Sequence, residues 1–158
     1  MRIRTTERTR AWLAVGVAAL AAGCMDPVDA RPGLWLSGEP AASPPGDWSF
    51  TDAHPEIAIQ VATPYLVPHS VTIWCVSVDG DLYVAARNPD EKRWTGWVDR
   101  DPEVRLGIGS TLYDARLVPL EEEDVLARVR AAYREKYDYP DRSAGAAPPM
   151  RYWSVRPS

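Results

Sequence analysis

The run Ser70 to Val78, followed by Asp79-Gly80 and then Leu82 to Ala86, constrains this chain more than any other stretch. It is β-branched and apolar on both faces, which suits a central strand buried on both sides. Asp79-Gly80 provides the positive backbone dihedrals of a tight turn, so Leu82 to Ala86 is expected to return along the first run as a hairpin. An earlier strand is predicted where Ile57, Ile59 and Val61 alternate with Ala58, Gln60 and Ala62, closed by Pro64. Glu103 to Ile108 and Thr111 to Leu120 read as a second hairpin around Gly109-Ser110. Tyr113, Ala115 and Leu117 fall on one face and Asp114 and Arg116 on the other.

Helical signals are fewer. Asn88-Pro89-Asp90 breaks the first hairpin, and Glu91 to Arg100 reads as a short helix presenting Trp94 and Trp97, stopped by Asp101-Pro102. The clearest helix opens on Glu121, Glu122, Glu123 and Asp124 and carries Arg128, Arg130, Arg134 and Lys136 later, an order that complements the helix dipole. Leu126, Val129, Tyr133 and Tyr137 recur at helical spacing and should face the core, with Pro140 as the stop. Asp141 to Pro149 is loop and Arg151 to Arg156 a final strand. With seven tryptophans and one phenylalanine among 158 residues, aromatic burial has to come mostly from Trp and Tyr.

The N-terminus has a different character. Arg2, Arg4, Arg8 and Arg10 precede the small and apolar run Ala11 to Ala22, then Gly23 and Cys24, which is the order of a secretory signal. The run is short of the roughly 20 apolar residues that span a bilayer. Leu20-Ala21-Ala22-Gly23-Cys24 resembles the lipobox of bacterial lipoproteins, which implies cleavage before Cys24 and lipid attached to its thiol. The expected organisation is a lipoprotein signal over 1–23, a Pro/Ala-rich tether over 24–46 and one domain over 47–158. Within the tether, Gly33-Leu34-Trp35-Leu36 could instead dock on the domain. Met25 after the cysteine resembles the enteric rule for outer-membrane delivery, facing the periplasm.

The formal net charge is -4, and removing the leader takes away four arginines against Glu7, so the remainder is more acidic still. That argues against sequence-independent nucleic-acid binding, which draws its affinity from cations on phosphates. Cys75 has no disulfide partner if Cys24 is lipidated. His54 and His69 show no metal-ligand spacing, and the pairs Asp79/Asp81 and Asp99/Asp101 flank turns, where Asp serves local backbone donors. The more suggestive cluster is Arg87, Lys92, Arg93 and Trp94, cations with an apolar wall beside a helix start, a combination that can hold a phosphate.

The element order adds to this. The hairpin Val71 to Ala86, the basic tryptophan-bearing helix, Asp101-Pro102-Glu103-Val104-Arg105-Leu106, the second hairpin and the helix ending Tyr137-Asp138-Tyr139 resemble the split-barrel flavin-binding family. That family includes pyridoxamine phosphate oxidase-like proteins and deazaflavin-dependent nitroreductases. Its Asn-Pro-x-Val step has Asp101 in place of Asn, and the resemblance covers about Glu56 to Pro157. It implies a mainly β fold with helices (α+β), a six-stranded split β-barrel, usually a homodimer with cofactor in the groove between subunits. By the same resemblance Lys92 and Arg93 match the phosphate-contacting position. The backbone of Val71, Thr72, Ile73 and Trp74 would lie near the isoalloxazine ring. The cofactor implied is flavin mononucleotide, with a deazaflavin as the other candidate. The function implied is hydride or electron transfer to a small molecule. A cofactor-free barrel acting as a ligand- or protein-binding envelope module is the alternative, and a haem-binding barrel leaning on His54 or His69 is a third. Whichever holds, an exported chain must acquire its ligand outside the cytoplasm.

Overall fold

The structure, a computed structural model, describes residues 24–138 and 148–158. The expected signal segment, Pro140 as helix stop and most of the loop after it lie outside these residues.

Among the described residues eight strands and two α-helices follow in order: β1 (Glu39–Pro40), β2 (Ile57–Val61), β3 (His69–Ile73), β4 (Cys75–Val78), β5 (Asp81–Arg87), α1 (Arg93–Val98), β6 (Glu103–Ile108), β7 (Thr111–Pro119), α2 (Glu123–Tyr137) and β8 (Met150–Pro157). The sheet runs β3-β2-β6-β7-β8-β5-β4, with β1 added to β7 as the one parallel pair. Its two ends, β3 and β4, are separated in the chain by Trp74 alone. The path therefore closes through a single bent strand, and counting that strand once gives the six-stranded split barrel.

The one doubly buried strand expected over Ser70–Val78 is thus two shorter strands serving different neighbours. His69–Ile73 pairs antiparallel with β2, in register Ile57↔Ile73, and Cys75–Val78 pairs with β5, in register Cys75↔Val84. Burial on both faces is lost because a strand that closes a small barrel must turn sharply. Trp74, at the turn, is partly exposed. The hairpin itself forms as predicted: Asp79 and Gly80 both have positive φ, at 55° and 83°, the geometry of a type I′ turn.

Two apolar layers result. The barrel interior holds Ile57, Ile59, Val61, Leu82, Val84, Leu106, Leu117 and Trp153, with Trp94 and Val98 of α1 plugging one end. Alternation along β2, buried at residues 57, 59 and 61, is the period-two pattern made physical. On the outside, Val129 and Tyr133 of α2 pack on Val76, Tyr83 and Ala85. α1 is shorter than the helix expected over Glu91–Arg100, because Pro89–Glu91 forms a separate 3-10 turn first.

Residues 25–41, whose composition suggested a tether, run along the barrel. The docking suggested for Gly33-Leu34-Trp35-Leu36 is part of a longer contact. Gly33 bridges Ser70, Leu36 N–H donates to Gln60 Oε1 at 2.7 Å, Thr72 Oγ1 donates to Asp29 O at 2.8 Å, and Ala41 N–H donates to Leu112 O at 2.8 Å. Strand edges offer unpaired backbone groups, and this segment satisfies some of them. Gly33 is required for the approach, since a Cβ there would overlap Met25 O and sit 2.6 Å from Ser70 Oγ. Gly33→Ala should weaken the docking by about 1–2 kcal/mol, seen as faster amide hydrogen exchange at Ser70, whose N–H donates to Gly33 O. Unchanged exchange would mean that Gly33 is not the clamp.

Candidate functional site

All eight residues singled out in the sequence line one cleft of about 940 Å³: Val71, Thr72, Ile73, Trp74, Arg87, Lys92, Arg93 and Trp94. Three local features bring them together. The bent strand carries Val71 to Trp74 along one side. Arg87 ends β5, where left-handed Asn88 (φ 49°) turns the chain out of the sheet. Thr95 Oγ1, 2.7 Å from Pro89 O and 2.6 Å from Lys92 O, then fixes the turn that presents Lys92 and Arg93.

α1 spans six residues, so its dipole adds little and any anion held here is held by side-chain charge. Trp94 is mostly barrel core, buried with its ring 5.5 Å from that of Trp153, and shows only an edge to the cleft.

Several lining residues were not anticipated as site residues. The docked segment contributes Asp29 to Pro32, and α2 contributes Arg130, Tyr133 and Arg134. Arg130 and Arg134 stand four apart on one helix face, a spacing that could have been noticed but was read as dipole compensation. Among the described lining residues six cationic side chains meet two carboxylates, Asp29 and Glu56, in a protein of net charge -4. Arg130 pairs with Glu123 at 3.2 Å and lies 6.0 Å from the centre of the Tyr152 ring. Arg31, Arg87, Lys92 and Arg93 form no ion pair with any described residue. Such a concentration of positive charge in an acidic protein attracts an anionic ligand.

His69 also lines the cleft, with its ring edge-on to Trp97 at 5.1 Å. Burial first, and then the nearby Arg93 charge, hold its pKa below the ordinary value. The unfolded state therefore binds more protons, and this contribution to stability is present above about pH 6.5 and lost as pH falls through that unfolded value. Denaturation midpoints should drop between pH 7.5 and 5.5, and by less in His69→Gln. An equal drop in both proteins would acquit His69. His54 lies elsewhere, near Gly109. Among the described residues no group of three or more His, Cys, Asp or Glu is gathered as a metal site. Cys24 is exposed and Cys75 buried, both without a disulfide.

A closed split barrel with a cationic, partly apolar cleft defines the class of protein. The chain belongs to the family described as an uncharacterized protein conserved in bacteria (DUF2255), whose model matches residues 51–154. Among solved structures, HutZ, the heme storage protein of Vibrio cholerae, is similar at a TM-score of 0.53 and 12% identity, over 69% of this chain and 85% of that one. A Listeria innocua protein assigned as a pyridoxamine 5'-phosphate oxidase is similar at a TM-score of 0.51 and 16% identity, over 68% of this chain and 86% of that one. At these identities the likeness shows the fold. No curated protein matches the chain.

Proposed function

We propose that this protein is an envelope lipoprotein, anchored through Cys24, whose cleft binds a flavin-type cofactor and passes hydride or electrons to a small molecule. The observation that carries the reading is the group Arg31, Arg87, Lys92 and Arg93, unpaired among the described residues, around a cleft walled by Val71, Ile73 and Trp74. A planar aromatic group with a phosphate tail matches that division into apolar wall and cationic end. Flavin mononucleotide fits best, its phosphate at Lys92 and Arg93 and its ring along Val71 to Trp74. When bound, the flavin supplies the redox chemistry, and the chain binds it, orients it and screens it from water. A second copy would cover the open side, where Trp74 is exposed.

The names of the two similar structures, an oxidase of a phosphorylated pyridoxamine and a haem storage protein, point to planar anionic ligands as the class to test. Purified protein should bind flavin mononucleotide at micromolar concentration, read by visible absorption and fluorescence quenching. Lys92→Ala and Arg93→Ala should each weaken binding about 10-fold, since each removes one charge-assisted contact to the phosphate. Arg128→Ala, whose partner is Asp79, should leave it unchanged. No binding of flavin mononucleotide, a deazaflavin or haem would sink the oxidoreductase reading and leave a cofactor-free envelope module. Anchoring is tested separately: intact mass should show acyl groups on Cys24, and Cys24→Ser should lack them. Several acyl chains, at about 0.8 kcal/mol per buried methylene, would make release negligible.

A further inference from the structure

We propose that the loop Tyr65-Leu66-Val67, with Trp35 and Met25, rests in the interfacial layer of the bilayer to which the chain is tethered, so that one end of the barrel lies on the membrane. The inference rests on the anchoring at Cys24 given above.

These side chains are unusually open for apolar groups: Leu66 is 94% exposed, Tyr65 74%, Met25 50%, Val67 41% and Trp35 39%. They are neighbours in space. Trp35 and Leu66 line the same shallow depression, and Met25 N–H donates to Trp35 O at 3.1 Å while Leu34 N–H donates to Met25 O at 2.7 Å. Cys24 immediately precedes Met25 in the chain, so the anchoring residue stands at the edge of this patch. A lipid on Cys24 would emerge there.

The shape of the patch favours a fluid occupant. Leu66 projects from a tip held by Thr63, whose Oγ1 is 2.7 Å from Val67 O and accepts from Tyr65 N–H at 3.1 Å. Leu66 itself has a φ of 63°, a costly conformation for a branched residue. A single projecting apolar residue needs a complementary pocket on a protein partner, whereas a lipid interface accepts it without one. Tryptophan and tyrosine beside it are the residues enriched at that depth. Cations do not contribute: the nearby Arg105 pairs with Asp114 at 2.7 Å and Arg116 with Glu103 at 2.6 Å, while Asp101, which also lines the depression, has no ion pair among the described residues. Insertion should therefore occur on neutral lipid and resist salt.

The test uses the full chain with a fluorophore on Leu66→Cys or on Arg128→Cys, the latter beside the Asp79 turn at the opposite end of the bent strand. Each is bound to phosphatidylcholine vesicles whose acyl chains carry bromine. Quenching at residue 66 should exceed that at 128 by about threefold or more and hold between ~0.1 and ~1 M salt. Equal quenching at both sites, none at either, or disulfide coupling of residue 66 between two copies would each overturn the proposal, the last assigning the patch to a second copy. The parent chain, treated with the same dye, reports a free Cys24 thiol. Dye on Cys24 with quenching kept at residue 66 would fault the anchor and spare the docking face.

Discussion

Trp153→Ala is expected to lower the stability of this protein by about 3–5 kcal/mol, the range for emptying a large aromatic site in a packed core. Trp153 stands on β8 between Val84 and Pro119 in the ladders, is fully buried, and meets Trp94 inside the barrel. No other described side chain of its size is as completely enclosed. Since domains of this size are stable by only about 5–15 kcal/mol, the variant should unfold near ambient temperature or at low urea. Trp153→Phe should cost much less, because Trp153 Nε1 has no hydrogen-bond partner and only packing volume is lost. Urea titrations followed by far-ultraviolet circular dichroism would decide. A loss below about 1 kcal/mol in the alanine variant would contradict a filled barrel interior.

The second large effect is expected at the bend between β3 and β4. A strand that changes partners at Trp74 leaves backbone groups outside both ladders, and buried groups of that kind must find partners. One helix supplies them. Tyr133 OH lies 3.0 Å from Trp74 O and 3.3 Å from Tyr83 O. Lys136 Nζ donates to Thr51 O at 3.1 Å and Cys75 O at 2.9 Å. Tyr137 OH accepts from Cys75 N–H at 3.0 Å and lies 2.9 Å from Pro55 O. The Tyr137 ring also stacks on Trp74 at 4.3 Å and 6°. Burial, as the main cause, raises the pKa of both tyrosines, so they remain neutral donors throughout the working range of pH.

Lys136→Met should therefore destabilise the fold by about 2–3 kcal/mol, as two carbonyls lose a charged donor. The double variant with Tyr137→Phe should lose more than the sum, because each single variant leaves Cys75 O one donor and the double variant leaves it none. Strict additivity in a double-mutant cycle would show that the two act on separate structures. Amide exchange at Cys75 should accelerate in the Tyr137 variant, where its acceptor is gone.

Local physics made much of this legible. The alternation of Ile57, Ile59 and Val61, the Asp79-Gly80 turn, the hairpin around Gly109-Ser110 and the core face of α2 are each encoded within a few residues, and each forms where expected. The cationic cluster Arg87, Lys92, Arg93 was visible because its members are near one another in the chain. Arg31, Arg130 and Arg134 were missed because they come from a proline-bearing segment and from a helix whose charges had a sufficient local explanation. The split of Ser70–Val78 was hidden for a related reason. A run apolar on both faces looks the same whether it is central in a flat sheet or bent to close a barrel.

The sequence by itself therefore determined most of the elements and the residues at the heart of the cleft, since these depend on period, turn chemistry and neighbouring charge. Only the tertiary structure decided that one strand serves two edges, that the segment after Cys24 docks instead of hanging free, and that cations from four parts of the chain face one cavity. Those outcomes follow from ring closure and from backbone groups seeking partners far away in sequence, and no local pattern records either.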